Sequence, residues 1–111
     1  MLSGALVAVE GIVRSVMVDC SHGNSNKDFA KQSIACREVI RQIREGQPAI
    51  MGIMLEGNLK PGAQPWKEGR KLEYGVSITD ACIGWEETAE LIQETADAVA
   101  AAPRVASCAT R

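Results

Sequence analysis

Three residues able to hold a divalent metal ion stand where apolar runs give way to polar ones: His22, Glu56 and Asp80. One imidazole with two carboxylates suits a divalent transition metal such as manganese, iron or zinc. Each residue alone has a plainer reading. A lone histidine in a polar segment is more often a loop residue, and Glu56 and Asp80 could cap helices or face solvent. Their joint placement, one at the end of each successive run, singles them out. Cys20 precedes His22 by two positions, and residues two apart on a strand share a face. It could therefore line the same mouth. A packing role is favoured, because no second Cys/His pair completes a structural zinc site. Asp19 is either a turn residue or an outer partner that orients a ligand. His22 is the sole histidine, so a Ser-His-Asp triad would have to use it. No nucleophile–base pair and no phosphate loop of the Gly-x-x-x-x-Gly-Lys type is present.

The elements that would position these groups follow from pattern. Val16 to Cys20 is short, apolar and β-branched, which predicts a buried strand. Ser25 and Asn26 are helix-capping residues. Beyond them Phe29, Cys36, Ile40 and Ile43 share one helical face, and Gly46 is placed to stop that helix. Lys27, Lys31, Arg37, Arg41 and Arg44 lie on or near it and read as a solvated face. Ala49 to Leu55 predicts a second strand. Leu59 to Glu73 contains Pro61, Gly62, Pro65 and Gly69 and has no period, so it reads as a long functional or disordered loop. Tyr74 to Asp80 predicts a weaker third strand. A last helix is expected from about Glu86 to Ala102, with Leu91, Ile92, Thr95, Ala98 and Val99 as its apolar stripe and Pro103 at its end. Strands alternating with helices predict an α/β fold with a parallel sheet, covered on both faces.

Composition sets the class. The chain has 111 residues and is 46% hydrophobic, enough for one small folded domain. A net charge of −2 gives no basic face, so nucleic-acid binding is not expected. Leu2 to Val9 is apolar but too short to span a bilayer and lacks a basic lead, so neither a signal peptide nor a membrane anchor is expected. Cys20, Cys36, Cys82 and Cys108 form no C-x-x-C pair and are expected to be reduced thiols of a cytoplasmic protein.

Three segments together resemble the class I 3-deoxy-heptulosonate 7-phosphate (DAHP) synthases. Asp19-Cys20-Ser21-His22-Gly23-Asn24-Ser25 is similar to that family's D-x-S-H-x-N-S motif. Gly52 to Leu59 resembles the strand that follows it. Tyr74-Gly75-Val76-Ser77-Ile78-Thr79-Asp80-Ala81-Cys82-Ile83-Gly84-Trp85 resembles the family's Y-G-x-S-I-T-D-A-C-I-G-W block, and the intervals between segments agree. The resemblance covers about residues 16 to 100. It implies a fragment of a (β/α)₈ TIM barrel, strands six to eight with their helices. The boundaries it implies are an unmatched segment 1–15, a partial barrel 16–102 and an unmatched tail 103–111.

The resemblance also implies a transferase of the shikimate pathway, serving aromatic amino-acid biosynthesis. Its partners are phosphoenolpyruvate and erythrose 4-phosphate, and the family is usually homo-oligomeric. C3 of phosphoenolpyruvate attacks the metal-polarised aldehyde, water adds at C2, and phosphate leaves with C–O cleavage. The cofactor is a divalent metal: manganese, iron, zinc or cobalt. The family holds it through a cysteine, a histidine, a glutamate and an aspartate, and His22, Glu56 and Asp80 occupy the last three positions. No residue here corresponds to the cysteine, which lies near the family's first barrel strand. The family's phosphate-binding lysines and arginines also lie upstream. His22 and Asp80 are the implied catalytic residues, His22 beside phosphoenolpyruvate and Asp80 near the aldehyde. A barrel takes about 250 residues, so the chain is expected either to work with further segments or to be a catalytically inactive truncated remnant.

Overall fold

The computed structural model describes residues 15–23 and 28–103. Two short strands form, β1 (Val16–Asp19) and β2 (Ile50–Met54), together with two helices, α1 (Gln32–Arg44) and α2 (Trp85–Ala101). The strands pair in parallel, with Val18 opposite Ile53 and Asp19 opposite Met54, and a bulge falls between Val16 and Met17. That register sends Val18 and Ile53 toward the helices. It brings the C-terminal ends of both strands to one edge, where Cys20 N–H donates to Met54 C=O at 2.9 Å.

The first helix starts later than its expected caps, since Ser25 and Asn26 lie outside the described residues. A single 3-10 turn, Phe29–Lys31, leads into it, and the Asp28 carboxylate accepts from Ala30 N–H at 3.1 Å. Its end is where the sequence puts it. Gly46 has φ of 94°, a left-handed conformation open to glycine. Gln47 N–H donates to Gln42 C=O at 3.0 Å, and Gly46 N–H donates to Ile43 C=O at 3.0 Å, which together close the last turn.

The core lies between the helices and the sheet. Cys20, Ala35, Cys36, Ile40, Ile83, Leu91 and Ala98 are buried together, with Phe29, Ile43, Ile53 and Leu55 packed against them. Cys36 and Ile40 thus hold the predicted stripe of α1. On α2 the buried stripe is narrower than expected: Leu91 and Ala98 are buried, whereas Ile92 and Val99 are 52% and 60% exposed. Arg37 crosses from α1 to grip Glu94 of α2 with two hydrogen bonds of 3.0 and 2.7 Å, and Arg41 pairs with Glu38 on its own helix and with Glu45, which caps it. No helix among the described residues is long and apolar enough to cross a membrane.

The third strand does not form. Tyr74 to Asp80 makes only an isolated bridge, Ser77 to Ala63, instead of a ladder. Gly75 turns the chain with φ of 86°, and Ser77 Oγ accepts from Thr79 N–H at 3.1 Å. A side chain that bonds nearby backbone competes with the sheet for it. Gln64 takes the place of a neighbouring strand. Its amide donates to the carbonyls of Glu73 and Val76 and accepts from Glu73 N–H, at 2.8–2.9 Å. The loop from Leu59 to Glu73 is therefore ordered without regular structure of its own.

Candidate metal centre

His22, Glu56 and Asp80 reach one place from three separate segments. His22 follows β1 by three residues, Glu56 follows β2 by two, and Asp80 ends the turn that replaces the third strand. The Nε2 atom of His22 lies 3.6 Å from Glu56 Oε2 and 3.6 Å from Asp80 Oδ2. One ligand atom from each residue falls within 4.8 Å of the other two. Atoms that share an ion at about 2.0–2.2 Å stand roughly 3.4 Å apart in tetrahedral geometry. The group therefore fits a divalent cation with small side-chain movements. Asp80 is the most open of the three, with 69% of its side chain exposed against 27% for Glu56.

The histidine is held from behind. Asp19 Oδ2 sits 2.7 Å from His22 Nδ1. Asp19 Oδ1 meanwhile accepts from the N–H and the hydroxyl of Ser21. When the neutral ring donates its Nδ1–H to Asp19, the Nε2 lone pair faces the two carboxylates, which is the tautomer a ligand needs. The geometry supports both readings of Asp19: it forms a turn with Ser21 and orients the imidazole.

The charges follow. Partial desolvation works against the Asp19 carboxylate, but hydrogen bonds from Ser21 and His22 outweigh it and bring its pKa down to about 2. The Asp19 hydrogen bond, then its charge, hold the His22 pKa above 6.5, with Glu56 and Asp80 adding to the shift.

Glu56 is fixed through its backbone. Its N–H donates to Gln32 Oε1 at 2.9 Å, and its C=O accepts from Gln32 Nε2 at 3.1 Å and from Ile83 N–H at 3.0 Å. Ser21, Phe29 and Ala81 join the three candidate ligands in lining a cleft of about 260 Å³. No lysine or arginine is among its described lining residues. Cys20 does not open onto this mouth. It is fully buried in the core, beyond the end of β1, and the neighbouring Cys36 thiol, burial and nearby charge push its own thiol pKa up. Cys20, Cys36 and Cys82 are free thiols, and Cys108 lies outside the described residues.

Ser21 and Gln32 were not singled out by sequence reasoning. The signal for Gln32 was available: it lies four residues before Cys36, so a polar amide occupies the apolar stripe of α1. For Ser21 the signal was its place as the serine of the D-x-S-H-x-N-S motif, directly before His22.

A model describing the DAHP synthetase I family matches residues 2–94. That range takes in residues 2–15, beyond the boundary drawn at residue 16 from the motifs. The chain is 50% identical over 91 residues to the Phe-sensitive phospho-2-dehydro-3-deoxyheptonate aldolase of Escherichia coli K12, covering 82% of this chain and 26% of that protein. The phenylalanine-inhibited enzyme of Saccharomyces cerevisiae is 45% identical over 89 residues, covering 78% of this chain and 24% of that one. A solved phospho-2-dehydro-3-deoxyheptonate aldolase from Francisella tularensis superposes with a TM-score of 0.73 at 41% identity, over 81% of this chain and 26% of that one. The chain thus spans about a quarter of the length of these relatives.

Proposed function

The chain belongs to the DAHP synthetase I family, and from that membership we propose that it carries the histidine, glutamate and aspartate ligands of a metal-dependent 3-deoxy-7-phosphoheptulonate synthase. The carrying observation is that His22, Glu56 and Asp80, spread over 59 residues of sequence, bring one ligand atom each within 4.8 Å of the others. When bound, a divalent metal supplies a Lewis acid for the aldehyde oxygen of erythrose 4-phosphate. The chain's own residues do the rest of the local work. Asp19 fixes the imidazole, so that its Nε2 atom is presented to the cleft. Glu56 and Asp80 lend negative charge that neutralises a cation. Phe29 and Ala81 supply the apolar part of the cleft wall.

The proposal places β1 and β2 as the sixth and seventh strands of a (β/α)₈ barrel, with the Ser77 to Asp80 turn where the eighth would stand. Exposed apolar side chains support this placement. Met17 and Met51 on the sheet, and Ile92 and Val99 on α2, are each more than half exposed. Such a surface is normally covered.

A chimera tests the proposal. Residues 16–94 of this chain, put in place of the matching segment of the E. coli relative, should condense phosphoenolpyruvate with erythrose 4-phosphate in the presence of manganese. His22→Ala in that chimera should abolish turnover. A folded chimera that is inactive with His22 intact, or active without it, would refute the reading.

A second reading is a segment that has the ligands and not the chemistry. It is favoured by a cleft with an imidazole and two carboxylates and no cationic lining residue among those described.

A further inference from the structure

We infer that Gln32 is a positioning residue of the metal centre, acting through the backbone of Glu56; this rests on the metal reading above. Three observations carry it. The Gln32 side chain is fully buried, which is costly for an amide unless its donors and acceptors are matched. Both of its polar atoms bond the backbone of one residue, Oε1 accepting from Glu56 N–H at 2.9 Å and Nε2 donating to Glu56 C=O at 3.1 Å. This pair of bonds falls just past the end of β2 at Met54, where the ladder with β1 has run out. The amide of Gln32 therefore does for Glu56 what a neighbouring strand does for residues within a sheet.

The same carbonyl ties the third segment in. Ile83 N–H donates to Glu56 C=O at 3.0 Å, and Ile83 is fully buried three residues after Asp80. Glu56 thus stands at a junction between α1, through Gln32, and the segment that carries Asp80, through Ile83. A side chain in the first turn of α1 sets the position of one ligand directly and braces the approach to a second. Ligand groups held by such outer hydrogen bonds lose affinity by about 10–100-fold when the partner is removed. Gln32 grips the ligand's backbone and not its carboxylate, so the expected loss is about tenfold, the lower end of that range.

Gln32→Asn keeps the amide and shortens its reach by one methylene, so that both bonds cannot be made at once. Ile40→Val, a one-methyl change in the core about two turns along α1 from Gln32, serves as a destabilised control. Zn²⁺ titrated by calorimetry into the 111-residue chain should bind Gln32→Asn about tenfold more weakly than wild type, and Ile40→Val as wild type. By NMR hydrogen exchange the Glu56 amide should lose protection in Gln32→Asn alone. In the wild-type chain Zn²⁺ should shift the Gln32 side-chain amide and the Glu56 amide together, an observation that stands even where Gln32→Asn does not fold. A folded Gln32→Asn with wild-type Zn²⁺ affinity, or a wild-type Gln32 amide that ignores Zn²⁺ while His22 responds, overturns the inference and leaves the metal reading intact. Zn²⁺ binding that survives His22→Ala overturns the metal reading itself, with the Gln32–Glu56 protection unchanged.

Discussion

At the scale of single residues, Asp19 and His22 make the centre sensitive to pH in two opposed ways. His22 has its pKa raised in the folded chain. Its contribution to folding is therefore complete below the unfolded value of about 6.5 and is lost as pH rises through the higher folded value. Metal binding through His22 would need the neutral imidazole and so would improve over the same interval. Without metal, the midpoint of urea unfolding should fall as pH is raised from 6 toward 9. With saturating Zn²⁺ the trend should reverse. His22→Gln should flatten both curves, and a wild-type chain whose metal affinity is level across this range would exclude His22 as a ligand. Asp19, lowered to about 2, adds stability above its unfolded value of 3.8 that is lost as pH falls toward 2. Asp19→Asn should remove that acid limb while leaving the chain folded at neutral pH.

At the scale of elements, the segment that follows β2 lies close against the first turn of α2 at Gly57. A Cβ at Gly57 would stand 2.5 Å from Thr88 Oγ1, and that hydroxyl donates to Gly84 C=O at 2.8 Å in the first turn of α2. Gly57→Ala should therefore cost about 1–3 kcal/mol by overpacking. Removing the obstacle should return most of it. In a double-mutant cycle followed by thermal unfolding, Gly57→Ala with Thr88→Ala should be more stable than the sum of the single effects. Strict additivity would mean that the helix is free to shift. The Gln64 amide is the other device at this scale. Gln64→Leu removes three bonds to the segment from Glu73 to Val76. Limited proteolysis should then cut between residues 66 and 75 well before it cuts α1, whereas wild type resists there.

At the scale of the molecule, the cleft is anionic in its described lining and small. Two phosphorylated substrates need fixed cationic partners, bidentate arginine above all. Two of the three arginines of α1 are engaged elsewhere: Arg37 holds Glu94 and Glu90, and Arg41 holds Glu38 and Glu45. The isolated 111-residue chain should accordingly show no synthase turnover with both substrates and manganese, although the chimera above should. Phosphate release above background from the pure chain would overturn that expectation. Leu91, fully buried between the helices, gives the matching stability test. Leu91→Ala should cost about 2–5 kcal/mol in denaturant titration, a large part of what a domain of this size has.

Short-range patterns were legible in the sequence because short-range forces set them. The β-branched run at Val16 to Val18, the stripe of Cys36 and Ile40, the stop at Gly46 and the start of the last helix near Trp85 each depend on torsional preference and burial within a few residues. So did the three candidate ligands, since each ends a run that the chain's own alternation of apolar and polar residues defines. The failure at Tyr74 to Asp80 has the same root. Its residues favour a strand, but Gly75, Ser77 and the distant Gln64 offer the backbone other partners, and no local rule ranks those against a ladder. Only the folded chain decided which faces were covered, leaving Ile92 and Val99 exposed and Cys20 buried. It alone brought Asp19 onto His22, Gln32 onto Glu56, and three side chains from distant segments within reach of one ion. Distances between segments far apart in sequence are fixed by how helices and strands pack, and packing is a property of the whole assembly of side chains and not of any one stretch.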